Sequence, residues 1–385
     1  MIPSQENRSK KLHKLDLFIR RGYYRPMRRV LLAILLFMTL AMTGAELSAT
    51  PPADPLAVVR EAITFNRGEG LFSAVQIAVF EKGRMTLELH DGHTTFDPKD
   101  AVTRYTLFDL ASLTKPLATL PMVGNLAATG IVDLDRPLSD LLPGFGKPIK
   151  LFDLVSHNSG LPAYDAWYFK YRDLQSIEER KAAIVKYAVE FPRTLPPKYS
   201  DLNYLLLGFA LERLTGKTLD DLYAETLKTL KYQGLPPIYL TDGIELSAVA
   251  ATSFSPQTGI LNHGNVEDEN CQLIGGVCGH AGIFGTAEAV GQLLSHLLTL
   301  PWYRSLLTEG YGFDRPEPAD SSYGLTATGD LRGHLGYTGT AFLIDLKRDR
   351  IIVVLTNRTH PTADKPDMQK RLRKFRQTIF DELLK

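Results

Sequence analysis

The sequence predicts a mixed α/β protein of the α+β kind: a mostly antiparallel sheet flanked by helices, with an inserted helical subdomain. Three observations predict it. β-rich runs stand near both ends of the chain, at 74–90 and 340–356; the stretch between them, from about 106 to 299, is mostly of helical pattern; and an amphipathic helix closes the chain at 366–384. Strands so far apart in sequence share one sheet only if the two ends of the chain meet. Such a sheet then needs helices over its faces.

At 385 residues the chain is too long for one small core, and with 44% hydrophobic and 23% charged residues it reads as globular. The formal net charge of +1 is uneven: residues 1–29 hold nine Lys/Arg against two acids, a net of +7, which leaves −6 for the remainder. No basic face is expected on the folded part, so no nucleic-acid partner. Val30 to Met42 (VLLAILLFMTLAM) is an uncharged apolar run. At ~1.5 Å per residue it falls short of the ~30 Å bilayer core. It follows Met27-Arg28-Arg29 and precedes Thr43-Gly44-Ala45. A charged start, a short apolar run and a small-residue exit make a secretory signal over residues 1–45. Met27 and Met1 are both candidate starts, and an uncleaved anchor giving membrane association through the N-terminus is the alternative to cleavage. The expected location is outside the cytoplasm: periplasmic or secreted, or anchored at the inner membrane. Residues 46–55 (ELSATPPADP) read as a linker, and 56–385 as the globular domain, its sheet part over about 56–105 and 300–385 and its helical part over about 106–299.

Within the domain, helical periodicity over 54–66 ends at Arg67-Gly68. AVQIAVFE and RMTLELH, joined by Lys82-Gly83, carry a hairpin signal. Residues 112–129 read as a helix closed by Gly130. Residues 151–230 read as mostly helical with loops at 156–165 and 192–200, and 253–285, rich in Gly, Asn and His, as an ordered loop region. Helix returns at 286–299, and TAFLIDL and IIVVLT form a second hairpin about Lys347–Arg350. Cys271 and Cys278 are the two cysteines. In an exported protein they can pair, and the spacing leaves pairing open. Two Cys without neighbouring ligands make a poor zinc site.

Ser112 and Lys115 carry the chemistry. On a helix, positions three apart share a face. Pro116 is tolerated only near a helix start, which puts that start close to Ser112 and the hydroxyl at the positive end of the dipole. Burial pushes a lysine there toward its neutral form, and a neutral amine beside a serine accepts its proton. The chain holds one Ser-x-x-Lys, and apolar neighbours (Phe108, Leu110, Ala111, Leu113, Leu117) argue against a solvated helix face.

FDLASLTKPLAT, at 108–119, resembles the active-site helix of the serine β-lactamase and penicillin-binding-protein superfamily, in its class C-like branch of D,D-carboxypeptidases and family VIII esterases. The resemblance recurs in order through LVSHNSGLP (154–162), PPKYSDLNYLLLG (196–208), GGVCGHAGIFGTAE (275–288), GHLGYTGTAFLID (333–345) and VLTNRTHP (354–361), spanning about residues 55–385. Several motifs in one order are more specific than any one of them.

The resemblance implies Ser112 as the acylated nucleophile, Lys115 as its proton relay and Tyr199, opening Tyr-Ser-Asp, as general base, a role in which a charged Lys115 would favour the phenolate. Asp201 stands where the branch has Asn, either as a substrate-amide contact or as a cap of the helix beginning near Leu202. His334-Leu335-Gly336 stands where it has Lys-Thr-Gly or His-Thr-Gly. His334 still hydrogen-bonds, Leu335 lacks a hydroxyl for a substrate carboxylate, and Gly336 admits close backbone approach. Tyr337 is expected as the strand residue whose N–H joins that of Ser112 in an oxyanion hole. His157 and His280 are implied to orient loops. No Gly-x-Ser-x-Gly elbow supports a Ser-His-Asp reading.

The function so implied is an exported serine hydrolase working through an acyl-enzyme on an ester, peptide or amide. His334, Leu335 and Asp201 tilt it toward an esterase or cell-wall peptide hydrolase with at most weak β-lactam turnover, on a small-molecule or peptidoglycan-derived substrate. The alternative is a catalytically impaired relative that binds peptidoglycan fragments or a partner. No motif implies a metal or an organic cofactor.

Overall fold

The computed structural model describes residues 54, 56–240, 244–255, 258–317 and 321–385. The signal, linker and start-site expectations fall on residues 1–55, of which all but Asp54 lie outside the described residues. Contacts divide the chain into two units, Met1–Ala57 and Val58–Lys385, and the fold below is that of the second.

In chain order the helices are α1 (Ala57–Gly68), α2 (Leu120–Ala128), α3 (Leu151–Val155), α4 (Trp167–Tyr171), α5 (Ile177–Glu190), α6 (Asp201–Thr215), α7 (Leu219–Thr229), α8 (Glu269–Leu273), α9 (Ala287–Leu297), α10 (Pro301–Glu309) and α11 (Met368–Leu383). The strands are β1 (Ala74–Glu81), β2 (Arg84–Gly92), β3 (Phe108–Asp109), β4 (Ile238–Tyr239), β5 (Ile283–Gly285), β6 (Leu331–Leu335), β7 (Ala341–Asp345) and β8 (Arg350–Thr356). Among the described residues no helix is long and apolar enough to cross a membrane.

The main sheet is antiparallel, in the order β2-β1-β8-β7-β6. The ends of the chain do meet: β1 pairs with β8 from Val75↔Thr356 to Glu81↔Arg350. Both hairpins form where expected. Lys82 and Gly83 each take positive φ, 50° and 74°, the two left-handed positions of the turn that matches strand twist. Side chains alternate across the sheet. Ala78, Phe80, Phe342, Ile344 and Val353 join the main core, where α9 packs on β1 and β8. A Cβ at Gly291 of α9 would meet the Phe80 ring at 2.1 Å, so the glycine sets this close approach. Val75, Ile77, Leu343 and Ile352, on the other face, are equally buried, and α11 packs on β8. The one polar side chain inside β1, Gln76, is satisfied: it donates to the Thr103 and Thr106 carbonyls and accepts from Ala287 N–H.

The helical part begins and ends its segments with sequence-encoded caps. Ser176 and Glu179 form a reciprocal capping box on α5. Ser200 caps α6, and left-handed Gly216 closes it. Two features were not anticipated. The 253–285 region holds the short helix α8, and its β5 forms a second, three-stranded sheet in the order β3-β5-β4. That sheet carries the residues just ahead of Ser112.

Candidate active site

Ser112 sits in a 3-10 turn, Ala111–Leu113, directly after β3. Lys115 opens a π turn, Lys115–Thr119, and regular α-helix starts only at Leu120. The single helix expected over 112–129 is therefore three successive turns of different pitch. Pro116 is the physical reason, since it has no N–H and its ring clashes with the carbonyl four residues back. The backbone takes the wider turn instead, and Ser112 does not occupy the first turn of a regular helix. The spacing still brings the two side chains together, with Lys115 Nζ 2.9 Å from Ser112 Oγ.

Lys115 is completely buried. Its ammonium donates to Ser112 Oγ and to the His280 carbonyl at 3.2 Å and forms an ion pair with Asp201 Oδ1 at 2.7 Å. Burial works to strip its proton, but Asp201 and Tyr199 outweigh it and hold Lys115 above the ordinary lysine value. Asp201 and Tyr199 thus favour the charged ammonium over the neutral amine expected from burial alone. Asp201 does not cap α6: Ser200 does, its hydroxyl accepting from Asn203 N–H. Asp201, one position further, turns its carboxylate onto Lys115.

Tyr199 lies where the motif requires, its hydroxyl interacting with both Ser112 and Lys115 and Lys115 Nζ 5.0 Å from its ring centroid. The residue as a whole is 42% exposed. Burial raises the phenol, Lys115 lowers it and Asp201 raises it again, leaving it above the ordinary tyrosine value. Lys115 does pull toward the phenolate, but burial first and Asp201 second outweigh it and favour the phenol. His157 packs on Tyr199 with ring centroids 4.4 Å apart and accepts from Ser200 N–H at 3.1 Å. Burial first, then Lys115, lowers its pKa to about 3, so the ring is neutral. His280 accepts Lys115 on its carbonyl, while its ring meets Asp268 at 3.0 Å.

On the opposite wall, His334 is buried near the end of β6. Its Nδ1 donates to the Leu335 carbonyl at 3.0 Å, which leaves Nε2 as an acceptor. Burial lowers its pKa, so this position carries no cation. Gly336 follows the strand. Tyr337, expected as a strand residue, lies instead in the β6–β7 turn, because Gly336 N–H bonds the Thr340 carbonyl and closes the turn there. Neither the Ser112 nor the Tyr337 backbone N–H has a backbone partner among the described residues. Four residues that hold this corner were missed. Thr338 Oγ1 donates to the Asp109 carbonyl at 2.7 Å, and Thr340 Oγ1 to that of Leu110 at 3.1 Å. Arg358 stacks on the Tyr337 ring at 4.2 Å and donates to its carbonyl. Asp109 is the fourth. The TGT of the β6–β7 turn is the one sequence signal that pointed there. Cys271 and Cys278 are both buried and unbridged.

Residues 59–377 match the family model described as Beta-lactamase. Among curated proteins the chain is 29% identical over 309 residues to an N-acetylmuramyl-L-alanine amidase of Bacillus subtilis (strain 168), covering 68% of this chain and 70% of that one. It is 28% identical over 337 residues to a putative D-alanyl-D-alanine carboxypeptidase of Salmonella gallinarum, covering 75% and 78%. Among solved structures it shares the fold of EstCE1, a hydrolase with promiscuous acyltransferase activity, with TM-score 0.65, 18% identity, and 84% and 98% of the two chains covered.

Proposed function

The chain belongs to the Beta-lactamase family and is a serine hydrolase, and from that premise we propose that it acts outside the cytoplasm on ester, peptide or amide carbonyls of small or peptidoglycan-derived substrates, with at most weak β-lactam turnover. One observation carries the reading: Lys115 Nζ bridges Ser112 Oγ and Asp201 Oδ1, with the Tyr199 hydroxyl beside them.

In this reading the Lys115–Tyr199 pair first gives up one proton to solvent, a step that becomes easier as pH rises. Ser112 Oγ then attacks the substrate carbonyl carbon as its proton passes to Tyr199. The Ser112 and Tyr337 N–H groups stabilise the oxyanion. Tyr199 returns the proton to the leaving group, the acyl-enzyme forms, and water attacks it by the reverse path.

Chemistry at the two departures supports the substrate preference. An Asn at position 201 could donate to an acylamide carbonyl, whereas the Asp201 carboxylate only accepts. A neutral His334 beside Leu335 offers neither cation nor hydroxyl to a substrate carboxylate. Penicillin-like acyl donors present both groups. The amidase and carboxypeptidase relatives support a peptidoglycan-derived substrate, and the signal-like N-terminus supports export.

The test is a fluorophosphonate probe followed by intact mass and peptide mapping. A single adduct on the Ser112 peptide, absent in Ser112→Ala and at least about 100-fold slower to form in Tyr199→Phe, is expected. No adduct on folded wild type overturns the reading in favour of a binding protein. Turnover of a chromogenic cephalosporin faster than a short acyl ester overturns the substrate preference.

A further inference from the structure

Asp109 is buried, with 2% exposure, at the end of β3. Its two carboxylate oxygens serve different segments. Oδ1 accepts the Ala111 N–H at 2.8 Å, and Oδ2 accepts the Glu267 N–H at 2.6 Å.

The first arm leads to the nucleophile. Ala111 has φ +48°, a left-handed conformation that costs a non-glycine residue about 1–3 kcal/mol unless its surroundings hold it. The bond from Asp109 holds it, and Ser112 is the next residue. The second arm leads to Lys115. Glu267 precedes Asp268, whose carboxylate caps α8 and binds the His280 ring at 3.0 Å. The carbonyl of that same His280 accepts Lys115 Nζ.

Resting on the reading of Ser112 as nucleophile, we propose that Asp109 is a positioning residue for acyl transfer: its carboxylate clamps the Ser112 turn and the Asp268–His280 support of Lys115 to one another. The device needs both oxygens as acceptors. A protonated carboxyl surrenders one of them, and one arm opens.

Burial first, then the charges of Glu267 and Asp268, push Asp109 up to about 7, against the pull of its two N–H bonds. The groups facing it are therefore Glu267, whose carboxylate is taken up by Ser253 and Asn262, Asp268, paired with His280, and the thiol of Cys271 on α8. Among the described residues no ion pair holds Asp109 ionised, so the clamp is set to fail on acidification.

The experiment follows the rate of fluorophosphonate labelling at Ser112 from pH 5 to 9. In wild type, log rate rises with a slope of two below pH about 7 and of one above it, because the clamp and the Lys115–Tyr199 pair each need to lose a proton. Asp109→Asn slows labelling about 100-fold at pH 8 and leaves a slope of one throughout. The double variant Asp109→Asn/Ala111→Gly recovers at least tenfold of that loss, since glycine adopts the left-handed turn unaided. A wild-type slope of one throughout overturns the proposal without reference to whether any variant folds. So does an Asp109→Asn enzyme within twofold of wild type, or a glycine variant without recovery. If wild type takes no adduct at Ser112, the nucleophile reading falls and the clamp with it; labelled wild type with an unaffected Asp109→Asn sinks the clamp alone.

Discussion

Lys115 Nζ and Asp201 Oδ1 stand 2.7 Å apart across 86 residues of sequence, one side chain with no exposed surface and the other with 22%. This pair fixes the resting protonation of the site, because Asp201 raises both Lys115 and Tyr199. Replacing Asp201 by Asn removes that influence from both groups while keeping the volume. The pH–rate profile of ester hydrolysis is then expected to shift toward lower pH, with a higher rate at neutrality. An unchanged or alkaline-shifted profile would show that Asp201 does not tune the base.

The Gly336 corner gives a steric prediction. An added Cβ would lie 2.0 Å from Thr340 Oγ1 and 2.8 Å from the Leu110 carbonyl oxygen. Thr340 can rotate only by giving up its bond to Leu110, and the Leu110 backbone is fixed by its own N–H bond to Ile283. Overpacking of this kind costs about 1–3 kcal/mol. Gly336→Ala should lower the thermal midpoint and slow probe labelling at least tenfold; labelling at the wild-type rate would mean the turn and the Ser112 loop are not coupled.

His157 makes stability depend on pH. Its folded-state pKa is lowered from 6.5 to about 3, so between those values the unfolded chain binds a proton that the folded site refuses. Stability from this group is complete above pH about 6.5 and is lost as pH falls, by up to about 1.4 kcal/mol per pH unit. His157→Asn keeps an acceptor for Ser200 N–H and should flatten the acid side of a urea-midpoint profile. Parallel profiles for the two proteins would count against a neutral imidazole.

Cys271 and Cys278 are expected to behave as inert thiols. Each is essentially inaccessible, and burial is the first cause that raises both above the usual thiol value, which suppresses the reactive thiolate. A thiol titration should count none in the folded protein and two after unfolding without reductant. Zero after unfolding would mean a disulfide.

The site residues could be read from the sequence because a hydroxyl, an amine and a phenol at fixed spacings on apolar segments have few other uses. The state of those residues could not. It depends on which of two adjacent cap-competent side chains, Ser200 or Asp201, takes the cap, and that is settled by tertiary contact with Lys115. Likewise Pro116 signalled a helix start, but not that three turns of different pitch would replace one helix. The hairpins and α11 follow from periodicity and turn chemistry. β3, β4 and β5 are two or three residues long, too short to carry a period. Asp109, Thr338 and Thr340 look like ordinary polar residues until their partners, more than 150 positions away, are beside them.

The pairing of β1 with β8 bears on when this molecule can be born. The two neighbours at the centre of the sheet are separated by 281 residues at Val75↔Thr356, so a ribosome must reach β8 before the first of their bonds can close. Folding dominated by such distant pairing is slow. Until β8 is made, the growing chain is a thread without its central fastening, available to chaperones, proteases and any machinery that accepts only unfolded polypeptide.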